Sequence, residues 1–442
     1  MRQSFFFPVC AAIALAPVTA AAAAVPADST AKQFNGREVV LAVKKLLDAN
    51  YVLPETRPKF DAILDKGLAN GRYDVSGPEQ LADTINIDLG QVTPDKHLAV
   101  MYDPERSRQL AAAPAGAGRD DAPPTAEDIA AATRRNSGLV QMRILPENIR
   151  YLETDGFVWA GGTTERAYDD AMRFLAGGDA VIIDMRRNGG GSPQAVQYLV
   201  SHFLAPNTSL MTFYIGANRV DTTTALPETK APRMVGKPLY VLTSGGTASA
   251  AEEFTGHVAG YKLGELIGEN TAGAGFRNEF YPLPDGMVIS ISVGRAILAS
   301  TGKGWEGVGF APNTKTDLGE ALQVAQVHAL RKIAETARPE RKAGLEAAAA
   351  VMDAQVNPVK TELPLAAYAG AYGDRVIALE SGLLTFQRQG APKHSMVAVG
   401  PNRFAFEDDP MSRVQFSAAG SSVNELELLR SDGTTARATR TR

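Results

Sequence analysis

The residues best suited to chemistry lie where two short apolar runs end. The run AVIIDMR at residues 180–186 leads into the glycine-rich segment RNGGGS, and the run PLYVLTS at residues 238–244 leads into a segment that contains Ser249. Because α/β folds place ligand sites beyond the carboxyl ends of buried strands, we expect an active site at these ends. Successive glycines also let backbone amides approach a ligand closely. The alternative for the glycines alone is a flexible turn, and neither the GxxxxGK[ST] phosphate loop nor the GxGxxG fingerprint is present.

Ser249 lies where this second segment turns into a predicted helix. A hydroxyl at a helix start gains from the helix dipole, and the next amide, on Ala250, has no acceptor within the helix. This arrangement suits a nucleophile whose oxyanion accepts a hydrogen bond from the neighbouring amide. Ser249 and Glu252 also form a capping-box motif, and that motif alone favours a structural cap. The GxSxG elbow of α/β-hydrolases is absent.

A serine nucleophile needs a base, and the chain has five histidines, His97, His202, His257, His328 and His394. His97 follows a turn and opens a predicted strand, whereas the other four are interpreted as core or surface histidines. His257 lies eight residues after the serine on the same predicted helix, too far along its axis. Lys262, thirteen residues after the serine, stays open as the base of a Ser-Lys pair.

Composition excludes several classes of protein. A length of 442 residues predicts about two or three domains. With 45% hydrophobic and 21% charged residues, the chain is neither disordered nor fibrous. A net charge of −4 gives no electrostatic reason to expect a nucleic-acid partner. The single cysteine, Cys10, excludes an internal disulfide and a multi-cysteine metal site. No metal-binding run is present, and we expect no metal and no cofactor.

The first 24 residues have the pattern of a secretory signal peptide. A short basic start precedes an apolar run, and small residues that offer several A-x-A cleavage sites follow. The alternative is a membrane anchor, but the run is short for a span, and Pro8 and Pro17 interrupt it. No other stretch has the apolar length of a span. We therefore expect an exported protein, periplasmic or secreted, with no stable membrane span after cleavage.

Hydrophobic periodicity divides the remaining chain into four regions. Apolar stripes at helical spacing predict a small helical bundle first, followed by a segment rich in alanine, proline and glycine. Alternating buried strands and helices then predict an α/β core, and short strands separated by turns predict a small all-β domain. The expected boundaries are 28–103 for the helical domain, 104–137 for a flexible connector with a helical patch at 125–135, 138–340 for the core and 360–442 for the β domain.

Four motifs in a fixed order resemble the serine peptidase family of carboxyl-terminal processing peptidases, especially its branch similar to the tricorn core and the interphotoreceptor retinoid-binding protein. They are DKHL at 95–98, IIDMRRNGGG at 182–191, LTS at 242–244 with TASAAEEF at 247–254, and GENTAG at 268–273 followed by GWEGVG at 304–309 and Pro312. The resemblance covers about residues 34–320. It implies a crotonase-like α/β core preceded by a helical amino-terminal region.

The resemblance also implies roles for individual residues. Ser249 matches the nucleophile and His97 the general base of the tricorn-like branch. Glu306 matches the glutamate that supports the histidine indirectly. The amides of Ala250 and Gly190 match the oxyanion hole.

One position departs from the tricorn-like pattern. Lys96 stands where that branch has a serine just before the histidine, so the relay to Glu306 must differ or use water. No segment has the pattern of the PDZ domain of the processing branch, which makes the Ser-Lys version less favoured.

These features predict an exported serine peptidase that acts on a peptide or protein through an acyl-enzyme. The alternative is a non-catalytic binding module of the same fold for a lipophilic ligand or an unfolded peptide, since a fold alone does not establish activity. The sequence does not indicate the oligomeric state.

Overall fold

The computed structural model describes residues 34–112 and 123–441. The predicted signal peptide and Cys10 lie outside the described residues. The first described region consists of three helices, a short strand and a fourth helix. They are α1 (Gly36–Asn50), α2 (Arg57–Ala69), α3 (Pro78–Val92), β1 (Ala99–Tyr102) and α4 (Pro104–Ala112).

Helices α1 to α3 bury the apolar faces that the periodicity predicts. Leu81, Ile85 and Leu89 on α3 are at most 1% exposed, which confirms that stripe. The helices do not pack only on each other. Met287 and Ile289, from a strand almost 200 residues later in the chain, lie in the same apolar cluster. The amino-terminal region is therefore attached to the rest of the chain through its core.

Segment 104–137 contains more regular structure than its composition predicts. Helix α5 (Ala126–Arg134) confirms the helical patch, and Thr125 caps it by accepting the Asp128 amide at 3.1 Å. Helix α4 was not predicted, and its start is stabilised by Asp103, whose carboxylate accepts the Arg106 amide at 2.9 Å. Residues 113–122 of this segment lie outside the described residues.

A six-stranded, mostly parallel sheet forms the centre of the molecule. Its strand order is β11-β8-β7-β4-β3-β2, and only β2 runs antiparallel to its neighbour. The strands are β2 (Leu139–Leu145), β3 (Ile149–Thr154), β4 (Ala180–Asp184), β7 (Leu239–Thr243), β8 (Glu265–Gly268) and β11 (Thr314–Lys315). Strands β4 and β7 are the two predicted apolar runs, and they pair directly, so their carboxyl ends are adjacent.

Helices cover both faces of this sheet. Val181 and Ile183 of β4 pack on one face with α6 (Gly162–Ala176), α7 (Pro193–Val200) and α8 (Ala250–Gly260). Ile182, between them, packs on the other face with α9 (Ala321–Ala334) and α10 (Pro339–Val356). Alternation of side chains along a strand produces these two clusters, and burial on both faces explains why the strand sequences are continuously apolar.

A five-stranded antiparallel sheet joins the amino-terminal region to the core. Its order is β1-β10-β5-β6, and β9 also pairs with β10. The added strands are β5 (Ser209–Ile215), β6 (Arg219–Thr224), β9 (Phe276–Pro282) and β10 (Met287–Leu298). Because β1 pairs with β10, the segment just before β1 is brought to the core from far upstream in the chain.

The carboxyl-terminal region is a separate, nearly closed antiparallel sheet, which confirms the predicted short strands. After α11 (Leu365–Tyr368), eight strands pair in chain order, and Tyr372 on the first bridges Arg440 just after the last. The core includes Tyr368, Phe404 and Phe416. The strands are β12 (Gly370–Tyr372), β13 (Arg375–Glu380), β14 (Leu383–Arg388), β15 (Lys393–Gly400), β16 (Arg403–Phe406), β17 (Arg413–Ala419), β18 (Ser422–Leu429) and β19 (Thr435–Thr439). Within residues 34–112 and 123–441, no helix combines the length and apolar character that crossing a bilayer requires.

Helix α8 carries the predicted nucleophile at its start, and its packing can be tested. Phe254 on α8 is fully buried and makes an edge contact with Phe203, with ring centroids 6.3 Å apart. We expect Phe254→Ala to lower the free energy of unfolding by about 3–5 kcal/mol, because it leaves a cavity under the helix. Urea denaturation measures this loss. Leu41→Ala, at a position 46% exposed, is the control and should change stability by less than about 0.5 kcal/mol. Equal effects of the two substitutions would contradict this account of the core.

Candidate active site

The loops after β4 and β7 are joined by hydrogen bonds at the carboxyl edge of the sheet. Ser244 Oγ donates to the Arg186 carbonyl at 2.6 Å, and Thr247 Oγ1 donates to the Met185 carbonyl at 2.8 Å. Further along, the Ala248 amide donates to the carbonyl of Asn188 at 3.1 Å. The two predicted segments therefore form one rigid platform, as their position beyond adjacent strands predicts.

Ser249 has an unusual backbone conformation at the start of α8. Its φ is 55° and its ψ is −121°, whereas an ordinary helix N-cap residue lies in the extended region with negative φ. A non-glycine residue in such a conformation is strained, and strain of this kind is concentrated at functional sites. The Ala250 amide is the first of the helix and has no acceptor within it. A hydroxyl and an amide donor thus lie side by side.

Gly190 packs directly against this serine. A β-carbon built at residue 190 would lie 2.7 Å from the Ser249 β-carbon and 3.0 Å from the Ala250 nitrogen, and φ at Gly190 is 107°. Only glycine fits there. The Gly190 amide donates to Asn188 Oδ1 at 2.9 Å, and Asn188 is fully buried. The structure therefore places Gly190 beside the serine, with its amide hydrogen-bonded to Asn188. The role of Gly190 in an oxyanion hole stays a prediction.

The Glu252 carboxylate connects the serine to the loop at 271–274, which overlaps the GENTAG motif. Glu252 Oε2 accepts the Ser249 amide at 3.1 Å, as the capping-box motif predicts, and also the Ala274 amide at 2.7 Å. Its Oε1 accepts the Thr271 hydroxyl and the Gly273 amide, both at 2.6 Å. The side chain is fully buried. One carboxylate thus fixes both the Ser249 segment and the 271–274 loop.

Glu306 holds the continuation of the same loop. Its Oε2 accepts the amides of Gly275 at 2.6 Å and Phe276 at 2.9 Å. Burial raises the pKa of the Glu306 carboxyl to about 7, although these two amides lower it; the negative charges of Asp95 and Glu252 raise it further. The Glu306 carboxyl therefore titrates closer to neutral pH than an exposed glutamate.

His97 reaches the site on the segment between α3 and β1. Burial lowers the pKa of its imidazole, the charges of Asp95 and Glu252 raise it, and Arg277 lowers it. Lys96 Nζ donates to the carbonyl of Ala272, in the loop that Glu252 holds. The structure thus brings the His97 segment to the loop anchored beside Ser249, from about 150 positions upstream.

Two family models match the chain over both regions that build this site. A model of Peptidase family S41 matches residues 148–316, which contain the serine, the glycine loop and both glutamates. A model of the N-terminal domain of Peptidase_S41 in eukaryotic IRBP matches residues 33–141, which contain the histidine. The chain belongs to peptidase family S41.

Three known proteases are similar to parts of this chain. The carboxyl-terminal-processing protease of Synechocystis sp. is 32% identical over 145 residues, which are 32% of this chain and 33% of that protein. The chain therefore matches about a third of the length of this curated relative. The solved photosystem II D1 C-terminal processing protease is 18% identical, with a TM-score of 0.39, over 63% of this chain and 92% of that one. The tricorn protease is 12% identical, with a TM-score of 0.40, over 67% of this chain and 36% of that one.

The remaining candidate bases of this S41 chain contact other groups or lie at or beyond the far part of α8. His257 lies on the far part of α8, where a rise of about 1.5 Å per residue puts it roughly 12 Å along the axis from Ser249. Lys262 follows the end of α8. His202 is fully buried with Nδ1 against the Tyr198 carbonyl at 2.9 Å. His328 pairs with Glu265 and His394 with Asp408. Over the part of the chain that the structure describes, no group of three or more His, Cys, Asp or Glu side chains is placed to hold a metal ion.

The raised pKa of Glu306 predicts a pH-dependent stability. A carboxyl whose folded pKa lies above its unfolded value near 4.5 stabilises the fold at low pH, and this contribution is lost as pH rises to about 7. Glu306→Gln mimics the protonated carboxyl at every pH, whereas the wild type loses the stabilising proton as pH rises. The free energy of unfolding of Glu306→Gln, relative to that of the wild type, should therefore increase between pH 4.5 and 7. We expect a change on the order of 1 kcal/mol, because partial exposure screens the charge. Urea denaturation at several pH values measures it, and a difference that stays constant or falls with pH would contradict it.

Proposed function

We propose that this chain is an exported serine peptidase, periplasmic or secreted, that hydrolyses peptide bonds of a peptide or protein substrate. The observation that carries the proposal is the strained Ser249 at the start of α8, with Gly190 packed on it and the His97 segment bound to the loop beside it. Membership of family S41 supports the same reaction class. The signal-peptide pattern supports export.

The proposed reaction proceeds through an acyl-enzyme. His97 accepts the proton of the Ser249 hydroxyl while the oxygen attacks the substrate carbonyl carbon. The Ala250 and Gly190 amides donate to the resulting oxyanion, and the Gly190 amide exchanges Asn188 Oδ1 for that oxyanion. His97 then donates its proton to the leaving amine. Water, deprotonated by the same imidazole, releases the product acid and restores the serine.

Glu306 acts indirectly in this proposal. It holds the amides of Gly275 and Phe276, and thereby the loop on which the His97 segment rests. We propose also that residues 138–340 form a crotonase-like core of the tricorn-like branch. The helical domain at 28–103, the connector at 104–137 and the β domain at 360–442 flank that core.

A binding module is the second candidate function. Two observations favour it: Lys96 occupies the relay-serine position with its amine bonded to a backbone carbonyl, and the Gly190 amide is bonded within the protein. In this case Ser249 only caps α8, and the cleft holds a lipophilic ligand or an unfolded peptide.

A serine-directed fluorophosphonate probe distinguishes the two functions. We expect the wild-type protein to be labelled and Ser249→Ala to lose labelling, with peptidase activity falling by at least about 10⁴-fold. The control is Ser76→Ala, at an exposed serine in the turn before α3, which should be labelled like the wild type.

A wild-type protein that resists the probe yet binds an unfolded peptide tightly would contradict the peptidase proposal. Stability provides a separate measurement. If the serine is a cap, Ser249→Ala should lower the free energy of unfolding by about 1 kcal/mol, whether or not activity exists.

A further inference from the structure

Asp95 is a buried carboxylate with one unused oxygen next to the proposed base. It lies on the segment between α3 and β1 and is 8% exposed. Its Oδ1 accepts the backbone amide of His97 at 2.9 Å. Its Oδ2 is buried and has no hydrogen-bond partner among the described residues. Burying a carboxylate oxygen without a hydrogen-bond donor costs free energy of folding, so we expect a donor close to this oxygen.

One nitrogen of the His97 ring also lacks a hydrogen-bond partner among the described residues. Its Nδ1 is buried and has no hydrogen-bond partner within residues 34–112 and 123–441. To accept a proton from Ser249 through Nε2, the neutral imidazole must carry its hydrogen on Nδ1, and a base in this tautomer is ordinarily held by an acceptor at that position. An unused donor and an unused acceptor therefore lie two residues apart, and the charge of Asp95 acts on the imidazole.

The other polar groups near Asp95 and His97 have contacts of their own. The buried Tyr51 hydroxyl lies near Asp95, whose negative charge raises the pKa of that hydroxyl, and it contacts Thr93 Oγ1 at 3.4 Å. Both oxygens of Glu252 accept two hydrogen bonds each from the nucleophile segment and the 271–274 loop. Lys96 donates to a carbonyl and, as an ammonium group, cannot accept the imidazole proton. The charges that act on the imidazole are those of Asp95, Glu252 and Arg277, and Glu306 is not among them.

In the structure, Asp95 Oδ2 and His97 Nδ1 are not hydrogen-bonded to each other. We propose that Asp95 is the positioning residue of the base: its Oδ2 accepts the hydrogen bond of His97 Nδ1 through one ordered water and stabilises the imidazolium that forms during acylation. The centre is then Ser249–His97–Asp95, without a serine before the histidine. Glu306 does not contact the imidazole in this proposal and acts only by holding the loop at Gly275 and Phe276. This inference rests on the proposed function for its kinetic consequence, but the pairing of Asp95 with His97 does not.

Asp95→Asn tests the pairing with little disturbance of the fold. The amide oxygen can still accept the His97 backbone amide, so the turn before β1 is retained. The amide nitrogen, however, donates toward Nδ1 and favours the tautomer that cannot accept a proton through Nε2. We expect kcat to fall by about 10²–10⁴-fold with KM nearly unchanged. The matched control is Asp83→Asn, at an exposed carboxylate on α3, which should keep wild-type kinetics.

Nuclear magnetic resonance gives a readout that does not require activity. The His97 imidazole is titrated in a Ser249→Ala background and assigned by the signal that disappears in His97→Gln. We expect Asp95→Asn to lower the pKa of His97, because the negative charge that favours the imidazolium is removed, and Asp83→Asn to leave it unchanged.

An unchanged pKa of His97 in Asp95→Asn, or a larger fall in Glu306→Gln than in Asp95→Asn, would overturn the proposal. Wild-type protein that resists the phosphonate probe while Asp95→Asn still lowers the pKa of His97 would refute the peptidase and retain the pair. The two failures are thus distinguishable.

Discussion

The arrangement of the site depends on one buried carboxylate. Glu252 lies one turn after Ser249 and accepts four hydrogen bonds, one from the serine amide and three from the 271–274 loop. Removing a carboxylate from water costs several kcal/mol, and charge-assisted hydrogen bonds to every lone-pair region can offset that cost. Because the same group holds both segments, neither can shift without leaving a charge unpaired. The position of the loop relative to Ser249 is therefore fixed by Glu252.

The loop held by Glu252 is also the contact surface for the rest of the site. Lys96 binds its Ala272 carbonyl, and Glu306 accepts its last amides. Glu252 and Glu306 thus hold one short segment, and Asp95 lies close enough for its charge to act on Glu306. Their mutual repulsion, added to burial, raises the pKa of Glu306, while the charges of Asp95 and Glu252 oppose the effect of burial on His97. The negative charge around the His97 imidazole thus partly offsets the lowering of its pKa by burial.

The sequence predicts those features that depend on local pattern. The apolar runs at β4 and β7, the helix after Ser249 and the capping-box glutamate are all visible as periodicity or as a short motif. Other features depend on contacts between distant positions. The pairing of β1 with β10 joins segments almost 190 residues apart, and the contact of Lys96 with Ala272 spans 176 positions. The second role of Glu252, at the loop, likewise requires residues about 20 positions away in the chain, and no local pattern encodes it.

The backbone of Ser249 separates the two interpretations that its motif left open. A serine that only caps a helix gains nothing from positive φ, since the usual N-cap conformation is extended and unstrained. The observed φ of 55° costs about 1–3 kcal/mol for a residue with a β-carbon. Gly190 is required for the same geometry, because a side chain there would collide with the serine. These two adjacent departures from ordinary backbone preference are unnecessary for a cap, and they support the proposal that Ser249 is a nucleophile held against an amide donor.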